Sequence, residues 1–303
     1  MDLMTNLREL NIEGVCCWQY TRSLQGRLSY LQRLRIIKPM HQAETSIDST
    51  NNSFMDKTKL EILDLSGNRD MKNLPASLSK ASNLKVLILD GCDGLENVVV
   101  PNRLPSSLRS FSFDGYGPAT HWTSTVKLPP QNSRPKCPSD ADKKDIVKTS
   151  KISLEGCTQL ENLFVRGLPN LVELDLSGSA IKVLDFGTMV ANVPVLKRLF
   201  LLGCEHLCVI RWGPGDSMKL DVLCLDTRPW GTPGFTQPSL TPHESSGLQL
   251  HAILADARLA RSLWNLVHQR QGCAYFNIHM TSSSTEYDGA VQLEGTNKGD
   301  DWT

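Results

Sequence analysis

Apolar residues recur along this chain in a short pattern, in which three apolar positions are separated first by two variable residues and then by one. Nine segments follow it, and they begin at Leu7, Leu31, Leu60, Leu84, Leu108, Thr149, Leu171, Leu196 and Leu220. Successive starts lie 24, 29, 24, 24, 41, 22, 25 and 24 residues apart. A period in the twenties with this code is typical of leucine-rich repeats, so the sequence predicts a solenoid built by stacking.

Within each unit the apolar residues alternate with polar ones, as a strand requires when one of its faces is buried. In the unit that begins at Leu84, Leu87 and Leu89 are expected to point inward, and Leu174 and Leu176 are their counterparts further along. We therefore predict an α/β leucine-rich-repeat solenoid with a curved parallel sheet and an irregular or short helical convex side. Alanine in place of an inward leucine is expected to cost about 2–5 kcal/mol.

The ninth position of a unit is where the chain turns out of the strand. It holds asparagine or cysteine in four units, at Asn68, Cys92, Cys157 and Cys204. Such side chains can be buried while they meet backbone groups that the turn leaves without partners. We expect these four residues to be buried at the turns.

The remaining segments interrupt or follow the array, which we place at residues 1–228. Polar, proline-rich insertions are predicted at about 40–56 and 117–148, the second where the spacing rises to 41 residues. Residues 229–247 read as a connector, and 248–270 read as an amphipathic helix. A strand is possible at Tyr275–Met280, within the 248–280 unit, and a polar tail occupies 281–303.

Composition limits the classes of partner. Lysine plus arginine equals aspartate plus glutamate at 32 each, so no polybasic surface for nucleic acid is expected. No signal peptide or membrane-spanning run is recognisable, and we expect no membrane association. The nine cysteines lack the paired clusters of secreted repeat proteins, which favours reduced thiols and a cytoplasmic location.

Catalytic motifs are not recognisable in the sequence. It holds no phosphate-binding loop, nucleophile elbow or zinc-protease motif, so we expect no cofactor and no enzymatic activity. The most metal-like cluster is Cys204-Glu205-His206-Leu207-Cys208, but Cys204 and Leu207 are already explained by the repeat. The sequence therefore predicts no metal site.

The variable strand positions are expected to face the concave side, where solenoids commonly bind ligands. Acidic residues at these positions are expected to form a negative stripe, and Phe200 with Leu202 an exposed apolar spot. The candidate protein-binding residues are Glu13, Asp64, Asp90, Asp114, Glu155, Asp175, Phe200, Leu202 and Asp226. The alternative is that the acids only keep the sheet soluble, while Phe200 packs under the C-terminal helix.

Several phrases resemble the irregular repeats of plant nucleotide-binding leucine-rich-repeat disease resistance proteins. They include Leu60-Glu61-Ile62-Leu63-Asp64-Leu65-Ser66-Gly67-Asn68, the Leu-Pro-x-x-Leu of residues 74–78, and Leu87-Ile88-Leu89-Asp90-Gly91-Cys92. The resemblance covers about residues 3–228 and implies recognition of a pathogen effector or a host protein that the effector modifies. It also implies contact with a nucleotide-binding domain.

The chain departs from that family because it lacks the nucleotide-binding module. We therefore expect a fragment, a truncated paralogue or an incomplete gene product. Two other interaction proteins stay open as alternatives. One is the substrate-binding repeat of a ubiquitin ligase, which would require an F-box-like segment, and the other is an extracellular receptor domain, which would require a signal peptide.

Overall fold

The structure is a computed structural model, which describes residues 6–13, 28–37, 54–100, 103–120, 127–136, 147–213, 220–231, 247–268, 275–280 and 292–294. The strands are β1 (Glu9–Glu13), β2 (Arg33–Ile37), β3 (Ile62–Asp64), β4 (Val86–Ile88), β5 (Asn97–Val98), β6 (Ser110–Asp114), β7 (Lys151–Ser153), β8 (Asn162–Arg166), β9 (Glu173–Asp175), β10 (Val183–Asp185), β11 (Val190–Ala191), β12 (Arg198–Leu202), β13 (Val209–Arg211), β14 (Val222–Asp226), β15 (Gln249–Leu254), β16 (Tyr275–Met280) and β17 (Gln292–Glu294). Helix α1 spans Ala257–His268, and 3-10 turns span Ala76–Lys80 and Gln131–Ser133.

Stacked parallel strands confirm the leucine-rich-repeat solenoid. Each of the first five repeats contributes one strand, and equivalent apolar residues are aligned in neighbouring strands: Leu10, Leu34, Leu63, Leu87 and Phe111. The same alignment joins Leu174, Leu199, Leu223 and Leu250. Every strand pair described is parallel except the pairing of β16 with β17. The alternation of apolar residues therefore produces the predicted ladder.

The ladder is divided between two main sheets, contrary to the expectation of one continuous sheet. The N-terminal sheet has the order β1-β2-β3-β4-β6-β8-β11. The C-terminal sheet has the order β17-β16-β15-β14-β12-β9-β7-β5, and β10 pairs with β13 separately. From β4 to β9 the chain alternates between the two main sheets, so each turn supplies a strand to both.

A half-turn shift of the repeat explains this division. Strand β6 pairs with β8, with Phe111 opposite Leu163, while the predicted sixth repeat strand, β7, pairs with β5 and β9. Residues 160–165 have the same apolar spacing as the recognised repeats, at Leu160, Leu163 and Val165. Because this segment fills the place beside β6, the leucine strands of repeats six to nine lie in the other sheet.

One apolar core lies between the two sheets. Leu63 and Leu87 from the N-terminal sheet and Leu174 and Leu199 from the C-terminal sheet are all fully buried in the same cluster. Side chains that alternate with these leucines point away from the core. The outer faces of the two sheets consequently point in opposite directions where the sheets overlap.

The ninth-position residues have the predicted role. The Asn68 side chain donates hydrogen bonds to the carbonyl oxygens of Ile36 at 2.8 Å and Leu65 at 2.6 Å. The Cys92 thiol donates to the Leu65 carbonyl oxygen at 3.0 Å, and Cys204 to that of Leu176 at 3.4 Å. Cys92 and Cys204 thus satisfy carbonyl groups of the preceding repeat, while Asn68 bonds to its own repeat and to the preceding one.

The array ends in a strand–helix–strand unit. Residues 249–254 form β15 with alternating burial, so they are not the beginning of the predicted helix, which starts at Ala257. Strand β16 spans Tyr275–Met280, the segment that the sequence marks as a possible strand, and pairs with β15. The Trp212 indole donates to the Ser262 carbonyl oxygen of α1 at 2.9 Å and stacks on Phe186 at 5.2 Å.

Candidate functional site: the outer faces of the two sheets

The outer faces carry the variable positions of the repeats. The nine predicted binding residues are divided between them, so the structure does not bring them together in one stripe. The N-terminal face holds Glu13, Asp64, Asp90 and Asp114, and the C-terminal face holds Glu155, Asp175, Phe200, Leu202 and Asp226. This separation follows from the half-turn shift between β6 and β7.

Residues 127–136, here called the strap, lie across the N-terminal face. This segment belongs to the insertion predicted at 117–148. Leu128 packs on an apolar cluster of Ile62, Val86 and Ile88, which is separate from the main core. The amide of Thr120 donates to the carbonyl oxygen of Ser133 at 2.7 Å, so two segments of the insertion run side by side. The strap thus covers the variable positions of β3 and β4.

Arg134 of the strap occupies the acidic centre of this face. Its Nη1 lies 3.1 Å from Asp90 Oδ2 and 3.7 Å from Asp114 Oδ2. Its Nη2 donates to Ser112 Oγ at 3.1 Å, and its guanidinium lies 3.7 Å from the centre of the Phe164 ring. All five side chains are buried.

A second arginine reaches the same cluster from β8. Arg166 Nη2 lies 2.5 Å from Asp114 Oδ2, its Nε donates to Oδ1 at 3.2 Å, and Nη2 also donates to the Pro135 carbonyl oxygen at 2.9 Å. Its guanidinium lies 5.0 Å from the Tyr116 ring centre. Arg166 therefore ties Asp114 to the strap.

Burial changes the chemistry of the carboxylates on this face. Desolvation raises the pKa of Asp90 to about 7, an effect that Arg134 and Ser112 only partly oppose. Burial also raises the pKa of Asp64, which accepts hydrogen bonds from the Ser66 amide and hydroxyl and pairs with Arg35 at 3.3 Å. The expectation that Asp64, Asp90 and Asp114 face solvent is wrong, since all are buried.

The C-terminal face carries a ladder of alternating charges. Glu173 lies between Lys151 at 2.6 Å and Arg198 at 3.2 Å, and the three residues are in register on β7, β9 and β12. The side chains of Lys151 and Arg198 are 43% and 46% exposed. Arg134 on the strap-covered part of the N-terminal face is, by contrast, only 2% exposed.

The acidic residues of the C-terminal face have local partners. Glu155 pairs with Arg103 at 2.6 Å, and Arg228 forms a double contact with Asp226, the closer at 2.6 Å. Asp175 accepts the Ser177 amide at 2.9 Å, and burial raises the pKa of Asp175. On the N-terminal face, Glu13 is exposed and pairs with Arg35 at 2.5 Å.

The predicted apolar spot is only partly exposed. Phe200 is 5% exposed and packs with Val222 and Cys224, while Leu202 is half-buried against the same cluster. The expectation of an exposed Phe200 is therefore wrong. Packing of Phe200 under the helix is not seen either, because the described members of its cluster all belong to β12 and β14.

Comparisons with known proteins relate the sequence to plant disease resistance. A protein of Arabidopsis thaliana named as a probable disease resistance protein is 30% identical over 182 residues, which is 56% of this chain and 10% of that protein. No description of a known protein family matches the sequence. The chain is a leucine-rich-repeat domain related to those of plant disease resistance proteins. It spans about a tenth of the length of this relative.

Solved structures of repeat domains resemble the chain only loosely. The leucine-rich repeat domain of APL1B is 14% identical, with a TM-score of 0.28 over 93% of this chain and 74% of that one. The plant peptide hormone receptor RGFR1, solved in complex with RGF2, is 12% identical, with a TM-score of 0.22 over 91% of this chain and 49% of that one. The fold assignment therefore rests on the repeat geometry itself.

The described residues offer few candidates for site chemistry. Burial raises the pKa of the Cys157 thiol to about 12 and that of the Cys204 thiol to about 11, so both thiols stay protonated and unreactive at neutral pH. Within the described ranges no group of three metal-ligating side chains occurs, and no helix is long and apolar enough to cross a membrane. The solenoid fold and the plant relative support a protein-recognition role.

Sequence reasoning missed the basic residues that organise both faces. Arg166 had a recognisable signal, because it occupies the seventh position of the unit that begins at Leu160. Arg134 and Arg103 had none, since both lie between strands and outside the repeat pattern.

Proposed function

We propose that this repeat domain is the protein-recognition module of a plant intracellular immune receptor. It binds a pathogen effector or a host protein, or it contacts the nucleotide-binding domain of its receptor, and it acts in the cytoplasm. The observation that supports this proposal is the 30% identity over 182 residues to a probable disease resistance protein. The matched region corresponds to 56% of this chain.

The C-terminal face is our candidate for this contact. Lys151 and Arg198 are about half exposed on either side of Glu173, and half-buried Leu202 lies on the same strand as Arg198. Alternating charges of this kind favour a partner with the complementary pattern, and they affect specificity and association rate more than affinity. On the N-terminal face the strap covers β3 and β4, and an exposed pair, Arg33 with Glu9, remains only on β1 and β2 among the described strands.

Sequencing of the full-length transcript tests the assignment. An adjoining coding segment for a nucleotide-binding module supports the immune-receptor proposal and supplies a partner for binding experiments. A coding segment for an F-box contradicts it and favours the alternative, a substrate-binding repeat of a ubiquitin ligase. A secretion signal with a membrane anchor also contradicts it and favours an extracellular receptor.

Binding to the encoded nucleotide-binding module tests the face. The double variant Lys151→Glu and Arg198→Glu is expected to weaken binding at least tenfold in biolayer interferometry. Lys72→Glu with Lys80→Glu makes the same change of charge at two exposed positions outside the strands and is expected to bind like the unmodified chain. Equal effects of the two double variants would exclude the C-terminal face as the contact.

A further inference from the structure

The strap rests on the N-terminal face as a bound peptide would. Among the described residues it forms no backbone-to-backbone hydrogen bond with any strand, and its backbone bonds join it to Thr120 or stay within it. Side chains hold it in place: Leu128 lies in the apolar cluster and Arg134 between the carboxylates. A segment bound in this manner can leave without breaking the sheet.

We propose that the N-terminal face is a binding site for an extended, arginine-bearing segment of a partner protein, and that the strap fills it as an intramolecular ligand. The partner's arginine takes the place of Arg134, and an apolar side chain takes the place of Leu128. This proposal stands independently of the immune-receptor assignment, because it concerns only the chemistry of the two contacts.

The arginine subsite has the features that select a guanidinium group. Asp90 and Asp114 supply two carboxylates, Ser112 supplies a hydroxyl acceptor, and the Phe164 ring supplies a flat apolar surface at 3.7 Å. Planar guanidinium stacks on an aromatic face while its edge meets acceptors, which the compact ammonium of lysine cannot do. The subsite therefore distinguishes arginine from lysine.

The apolar subsite lies six residues away along the strap. Leu128 contacts Ile62, Val86 and Ile88, and the two residues that follow it are prolines. Proline limits the conformations of a free peptide and so reduces the entropy lost on binding. We expect partner segments with a branched apolar residue, prolines and an arginine at this spacing.

The fold does not require the strap for its core. The inward leucines of β3 and β4 belong to the main core between the sheets, whereas the residues under Leu128 form a separate cluster. Arg134 is also held imperfectly, because its Nε is buried with no acceptor among the described residues. A chain without the strap is therefore expected to fold and to expose the site.

A strapless chain gives the direct test. Residues 121–146 are replaced by a short glycine–serine linker, and a fluorescent peptide with the sequence of residues 127–136 is added in trans. Anisotropy is expected to show the peptide binding at least tenfold more tightly to this chain than to the intact protein. Peptides with Arg134→Lys or Arg134→Gln are expected to bind at least tenfold more weakly. If the strapless chain folds but does not bind the peptide, the proposal is overturned.

The intact chain gives a second test, which does not require the strapless chain to fold. Arg134→Gln loosens the strap, so the added peptide is expected to bind this variant more tightly than the unmodified chain. Lys127→Gln removes an exposed charge at the other end of the strap and is the matched control. Equal affinities for the two variants, both with unaltered circular dichroism, would overturn the proposal.

Discussion

The two outer faces place residues of the same repeat position in opposite environments. Asp114 and Glu155 are both seventh-position acids, yet Asp114 is fully buried under the strap and Glu155 is half-buried beside Arg103, whose side chain is 55% exposed. Ser112 and Ser153 differ in the same way. The repeat sets where a side chain points, and the segment between repeats decides whether solvent reaches it.

This difference separates structural carboxylates from those available for recognition. Reversing the charge of Asp90 or Asp114 would place a cation beside buried Arg134 and displace the strap, so an effect on binding would be inseparable from that local rearrangement. A substitution of Glu155 does not have this problem, because the ion pair between Glu155 and Arg103 lies at the surface. Mutational tests of the acidic positions must therefore treat the faces separately.

The largest expected effect concerns the core that the faces share. Leu87→Ala and Leu174→Ala lie in different sheets but in the same cluster, so each should lower the free energy of unfolding by about 2–5 kcal/mol. Val195→Ala, at a side chain that is 39% exposed, should change it by about 0.5 kcal/mol or less. Urea unfolding measures all three. Two separate transitions, each sensitive to only one leucine, would show that the halves do not share a core.

The next effect compares an arginine from each face. Arg134→Ala removes the arginine that pairs with buried Asp90, whereas Asp114 keeps its contacts with Arg166. The loss costs about 3 kcal/mol if the strap stays in place, and less if the strap detaches and admits water. Arg198→Ala removes a half-exposed pair and should cost about 1 kcal/mol or less. Urea unfolding gives both values, and hydrogen exchange of the strap should accelerate only in Arg134→Ala. Equal losses would contradict the contrast in burial.

Titration of Asp90 provides a pH-dependent measure of the covered face. Its pKa is about 7 in the folded chain against an ordinary value of 3.8, so between these values the folded state holds a proton that the unfolded state has lost. Protonation of Asp90 therefore stabilises the folded state at low pH. This stabilisation decreases as pH rises from about 4 to about 7, by about 1 kcal/mol of unfolding free energy per pH unit where the change is steepest.

Asp90→Asn should remove that contribution. The free energy of unfolding of the variant, relative to the unmodified chain, is expected to rise between pH 4 and pH 7, with little further change above. Ser153→Ala on the C-terminal face leaves every titratable group in place and should follow the unmodified curve. Parallel curves for Asp90→Asn and the unmodified chain would mean that water reaches Asp90.

Much of the fold was predictable because the short, periodic spacing of apolar residues indicates which side chains are buried. The inward leucines and the turn residue Asn68 follow from spacing alone. The helix start was misplaced because Leu250, Ile253 and Leu254 fit helical spacing, whereas Leu250, Ala252 and Leu254 alternate as a strand does. When a short run of residues fits both the helical and the strand period, pairing with a neighbouring strand determines which structure forms. Here β14 is that neighbour, and it pairs with β15.

The arrangement of the site was not predictable for two physical reasons. An apolar pattern specifies that a strand has a buried face but not which strand lies beside it, so β8 displaced β7 from the place next to β6. The strap contacts are between residues 44 positions apart, Arg134 and Asp90, and follow no period. Charges that pair over such distances are visible only in the fold.

A smaller effect contrasts two turn glycines. Gly203 and Gly231 both have positive φ, 69° and 89°, but a Cβ at Gly203 would lie 2.6 Å from Trp230 while one at Gly231 would meet nothing within 4 Å. Gly231→Ala should therefore cost about 1 kcal/mol from backbone strain alone. Gly203→Ala should cost about 1–3 kcal/mol more, because both the ring and the backbone of Trp230 must move. Thermal unfolding compares the two, and equal losses would show that Trp230 does not hold this turn.

The smallest effect is expected at the surface pair of the C-terminal face. Glu155→Gln removes one charge of a pair that solvent screens, so the free energy of unfolding should change by about 1 kcal/mol or less. Asp114→Asn, at the equivalent position under the strap, weakens contacts with two arginines and should cost more. Urea unfolding of both variants gives the comparison. If Glu155→Gln lowers the free energy of unfolding as much as Asp114→Asn does, burial by the strap is not what distinguishes the two faces. If Glu155→Gln has little effect on stability, any binding that it weakens is lost through recognition and not through unfolding.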